Sequence, residues 1–120
     1  MTILQRLLPA LVAIALAGPA FAQSADYRVR DLLEPCVEGD NDSRGGAVLE
    51  MECEQYVNGF THLYLRSGMA RADKGCLPEQ NQADEIRWAF MRWAHENFDD
   101  RDRPAVEGLI ATLKARFACK

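Results

Sequence analysis

The 120-residue chain sets 14 lysines and arginines against 18 aspartates and glutamates, for a net charge of −4 with both histidines neutral. That length holds one domain of ordinary size. The acidity argues against nucleic-acid and anionic-membrane partners, which need a positive footprint.

Met1 to Ala22 carries Arg6 as its single charge, an apolar run from Leu7 to Ala17, and the small-x-small ending Ala20-Phe21-Ala22. This reads as a cleavable secretory signal peptide, too short and too interrupted by Pro and Gly to span a bilayer. Cleavage after Ala22 leaves a single domain, Gln23 to Lys120, with a net charge of −5 and no membrane attachment. The expected location is the bacterial periplasm.

Four helices account for most of the rest. The first runs over about residues 25–34, with Val29, Leu32, Leu33 and Cys36 in one apolar stripe, and Pro35 marks its expected end. Residues 38–46 are rich in turn formers and lack apolar groups, so they read as a solvated loop. The second and longest helix, about residues 47–67, keeps the helical period through Leu49, Cys53, Tyr56, Val57, Phe60, Leu63 and Tyr64. Gly59 falls inside it, at a close crossing or as a tolerated defect, and Gly68 offers a C-terminal cap. Residues 69–75 read as a loop, followed by the extended Cys76-Leu77-Pro78.

Asn81 is the expected N-cap of the third helix, with Asp84 at its third position, and the helix runs to about Asn97. Its buried face is Ile86, Ala89, Phe90, Trp93 and Ala94; Trp88 is offset, either widening that face or forming an exposed anchor. Residues 99–103 alternate in charge as a turn, and the fourth helix starts near Pro104 with Val106, Leu109, Ile110, Leu113 and Phe117 on its stripe. No segment alternates with period two, so the expected fold is all-α, a small disulfide-stapled domain of four to five helices.

Cys36, Cys53, Cys76 and Cys119 are an even set in a short exported chain, which reads as two disulfides. Zinc ligands usually come in close pairs, and none exists here. Consecutive helices joined by short loops tend to lie antiparallel. That layout brings Cys36 to Cys53 and, with the third and fourth helices as a hairpin, Cys76 to Cys119. In the loop-entropy model the two closures contribute about 3 and about 4 kcal/mol.

Catalytic groups are scarce. Oxidised cysteines leave no thiolate. His95-Glu96 lacks the second histidine of a zinc-protease helix, and His62 reads as a surface residue. Ser24, Ser43 and Ser67 have no nucleophile-elbow context. Glu50, Glu52 and Glu54 read as a solvated helix start, and Asp40-Asn41-Asp42 departs from a calcium loop at the following residues. No catalytic residue, metal ligand or cofactor is assigned. A small hydrolase using His95 and nearby carboxylates is the enzymatic alternative.

The order of features is Cys36, then Cys53-Glu-Gln-Tyr56-Val-Asn-Gly59, Cys76-Leu-Pro78, Arg103-Pro-Ala105 and Phe117-Ala-Cys119. This resembles the Rap/Tai family of periplasmic immunity proteins, which neutralise amidase effectors of type VI secretion. The resemblance implies a helical, commonly dimeric protein that covers the papain-like cleft of a peptidoglycan amidase and cleaves no bond. It transfers no binding residue. The candidates come from the two polar loops, residues 38–44 and 66–74: Asp40, Asp42, Arg44, Arg71 and Lys74. The alternative from another class is a housekeeping periplasmic chaperone or assembly factor on the same scaffold.

Overall fold

Five α-helices and one 3-10 turn follow one another in the computed structural model, which describes residues 26–41 and 45–120. The expected signal peptide, Met1–Ala22, lies outside the described residues, as do Asp42 and Arg44. The helices are α1 (Val29–Asp40), α2 (Gly46–Arg66), α3 (Met69–Ala72), α4 (Gln82–Glu96) and α5 (Ala105–Arg116), with the 3-10 turn at Phe98–Asp102 between the last two. Among the described residues β pairing is confined to two isolated bridges, Arg28–Pro104 and Gly75–Ala118, so the all-α expectation holds. No described helix is long and apolar enough to cross a membrane.

Pro35 does not end α1, which runs on to Asp40. Proline lacks an N–H, so the carbonyl of Asp31, four residues earlier, loses its helical donor. The Tyr27 hydroxyl lies 3.0 Å from that oxygen and 2.8 Å from Glu52 Oε1, its one proton serving either acceptor. Continuing the helix also buries Cys36 and Gly39 against α2. Side-chain substitution for the missing bond, plus this burial, overrides the local rule.

α1 and α2 form an antiparallel hairpin. Cys36 is bonded to Cys53, and three residues further on Gly39 meets Glu50, three residues earlier on the partner. A Cβ on Gly39 would sit 2.7 Å from the Glu50 Cα, so the backbones approach too closely for any other residue. Gly68, at φ 84°, terminates α2 as expected. Gly59 has open space around it and marks no crossing.

The residues after Gly68 are not a plain loop. They form α3, which buries Ala70. Asn81 does precede α4, but in a left-handed conformation with no side-chain cap bond; Asp84 pairs with Arg87 instead. Ile86, Phe90, Trp93 and Ala94 of α4 join Leu109 and Leu113 of α5, Val29, Leu32 and Leu33 of α1, and Val57, Phe60 and Tyr64 of α2 in one core. Leu63 and Val106, expected in the buried stripes, face outward. On α2 the inward place beside Phe60 goes to Thr61, whose hydroxyl bonds the Val57 carbonyl at 2.7 Å.

Both expected disulfides are present. The second forms by a different route from the one anticipated. Arg116, at the end of α5, grips Glu96, at the end of α4, through bonds of 2.9 and 3.1 Å. In an antiparallel hairpin those ends would lie far apart, so α4 and α5 cross instead. Gly108 sits at the crossing, where a Cβ would come within 2.5 Å of Val29 Cγ2 and 3.1 Å of Trp93 Cζ3. Cys76 meets Cys119 because the segment after α3 pairs with the C-terminal segment: Cys76 N–H donates to Phe117 O at 2.7 Å and Cys119 N–H to Lys74 O at 2.8 Å.

Candidate functional site

Of the five residues expected to bind a partner, the three that are described, Asp40, Arg71 and Lys74, do not converge. Asp40 closes α1, whereas Arg71 and Lys74 are exposed beyond the far end of α2. Twenty-one residues of α2 separate the two loops, and at 1.5 Å per residue that is about 30 Å. Asp40 is also engaged. With Glu50 and Asp84 it surrounds the Arg87 guanidinium, at 3.5, 3.5 and 3.4 Å. Arg87 is only 5% exposed, and its Nε has no hydrogen-bond partner among the described residues.

The second loop is braced from below. The hydroxyl of Tyr64, a buried core residue, donates to Asp73 Oδ2 at 2.9 Å, and Lys114 approaches the other Asp73 oxygen at 3.6 Å. Burial, then the hydrogen bond to Asp73, pushes the Tyr64 phenol up to about 12. Lys74 takes a left-handed φ of 53°. Arg71 and Lys74 therefore project from an ordered platform, whereas the sequence pointed to a flexible loop.

The expected chemistry of the histidines and cysteines can be placed. His62 faces outward on α2, and His95 Nδ1 lies 3.2 Å from Arg101 Nη2 on the surface. All four cysteines are in disulfides. Among the described residues no group of three histidines, cysteines or carboxylates is placed to hold a metal ion.

A different face stands out. Trp88, the residue offset from the α4 stripe, is 45% exposed, and Phe98 in the 3-10 turn is 69% exposed. The Arg101 guanidinium lies 4.6 Å over the Phe98 ring and is itself held by a 3.0 Å bond from Nε to the Ala94 carbonyl. Arg30, Phe98, Arg101 and Asp102 line an open concavity of about 220 Å³. Asp102 pairs with both Arg28 and Arg30. Sequence reasoning had one signal for this face, the displaced Trp88. Phe98 sits in a connector, where no helical period says which side is out.

In comparison with known proteins, the family model of the Rap1a immunity proteins fits residues 28–119. No curated protein and no solved structure matches the chain.

Proposed function

The chain belongs to the Rap1a immunity proteins, and from that membership we propose that it protects its producer by binding a peptidoglycan amidase effector of type VI secretion in the periplasm. The family implies immunity to a secreted effector. The amidase, the compartment and the mode of action are the finer reading. The observation that carries the immunity reading is the extent of the match, which runs from Arg28, before α1, to Cys119 of the second disulfide. The match thus takes in all five helices and both disulfides.

Two features support the finer reading. Paired cysteines belong to oxidising compartments, which agrees with export by Met1–Ala22. A crosslinked helical domain also loses little conformational freedom on docking, so more of the contact energy appears as affinity. The protein acts by occupying the effector's cleft; no bond is broken.

Co-expression provides the test. A papain-like peptidoglycan amidase directed to the periplasm of a bacterial host should lyse it, and the full chain expressed alongside should prevent lysis. Lysis that continues while the oxidised protein accumulates in the periplasm rejects the amidase reading.

A further inference from the structure

Trp88, Arg92 and His95 recur at intervals of four and three residues, so they share one outward side of α4. His95 then touches Arg101, and Arg101 stacks on Phe98, so the row continues into the 3-10 turn without a break. Exposed Trp and Arg are the residues that dominate binding energy when an interface forms around them. Phe98 is also held ready: the guanidinium above it is anchored to the end of α4, so docking against the ring orders little that is not already ordered.

Charge decides what the face would meet. The chain as a whole is acidic, yet this face is rich in free donors. Arg92 makes no ion pair or hydrogen bond among the described residues, and Arg101 Nη1 makes no hydrogen bond among them. Most neighbouring carboxylates are occupied: Glu96 by Arg116, Asp100 by Arg103, and Asp102 by Arg28 and Arg30. Asp99, and Glu85 three residues before Trp88 on the same side of α4, are exposed without an ion pair among the described residues. Apolar rings flanked by guanidiniums with unpaired N–H donors fit a protein surface that offers a carboxylate beside an apolar side chain.

We propose that the Trp88–Arg92–Phe98–Arg101 face is where the effector docks, an apolar effector side chain resting against Phe98 and an acidic one reaching Arg92 and Arg101. This rests on the immunity reading above and adds to it the surface and the chemistry of its counterpart. It sets the contact apart from Arg71 and Lys74, which lie on the α3 platform.

The test is calorimetric titration of the exported, oxidised protein with a papain-like peptidoglycan amidase whose lysis it prevents in the co-expression experiment above. Phe98→Ala should weaken binding about 30-fold or more, the effect of truncating an interface hot spot. Arg92→Glu should weaken it about tenfold or more, with a reduced salt dependence. Both side chains are exposed, so thermal midpoints should stay at the wild-type value. The double variant Arg71→Glu/Lys74→Glu should bind as wild type. Normal binding by Phe98→Ala and Arg92→Glu overturns the assignment, as does loss confined to the α3 double variant. So does a drop in oligomer mass by light scattering with amidase affinity intact, which would give the face to a second copy of the chain. Failure of the wild-type protein to bind the amidase overturns the functional reading itself.

Discussion

Arg87 places a guanidinium beneath Asp40, Glu50 and Asp84 with almost no direct access to water. Its three partners are between 42% and 48% exposed, so they can rehydrate if the cation is removed. Losing it should therefore cost less than the 3–5 kcal/mol typical of orphaning one member of a fully buried pair. Arg87→Ala removes the packed aliphatic stem as well and should cost about 2–3 kcal/mol. Arg87→Met keeps most of that stem and also eliminates the unpartnered Nε, whose desolvation carries a penalty of about 1–3 kcal/mol. Urea unfolding at neutral pH should place Arg87→Met within about 1 kcal/mol of wild type. Equal losses for the two variants would mean that the ion pairs, and not the buried stem, hold this end of the hairpin.

At the scale of the helices, three glycines that look alike in the sequence have different surroundings. Gly59 lies on the exposed side of α2 with nothing near a would-be Cβ, and Gly59→Ala should stabilise by about 0.5–1 kcal/mol. Gly39 faces the α2 backbone and Gly108 faces Val29 and Trp93. Alanine at either should destabilise by about 1–3 kcal/mol, and more at Gly39, where the obstacle is backbone and cannot rotate away. Thermal melts separate these readily, since 1 kcal/mol moves the midpoint of a domain this size by about 4–8 °C; a stabilising Gly39→Ala would refute the close approach. The contrast also shows what the sequence could disclose. A 3.6-residue period reveals which side of a helix is buried, and it located α2, α4 and α5 to within a residue or so. It is silent on how closely two helices approach, which separates Gly39 from Gly59. Pro35 misled because its lost bond is repaired by Tyr27, a residue outside the helix. The four residues of α3 are too few to display any period. The Phe98 face was illegible for the same reason, since its key ring belongs to a connector.

Across the whole molecule the two staples differ in kind. Cys36–Cys53 joins α1 to α2 inside the core, with both residues fully buried, whereas Cys76 and Cys119 are exposed where two chain segments meet. The sequence separations are 17 and 43 residues, so in the loop-entropy model the exposed bridge closes the longer loop and contributes about 4 kcal/mol against about 3. A thiolate reductant must reach a sulfur in line with the bond, so the larger contribution is also the more vulnerable one. Under native conditions mild dithiothreitol should open Cys76–Cys119 first, detected as alkylation of those two cysteines alone by peptide mass spectrometry. Cys36–Cys53 should resist until global unfolding, because exposing it requires separating α1 from α2. Opening the surface bridge removes a large share of the 5–15 kcal/mol that folded domains typically possess, so the partly reduced protein should melt well below the oxidised one. Simultaneous labelling of all four cysteines, at a rate that tracks global unfolding, would show that the C-terminal clamp is as protected as the core.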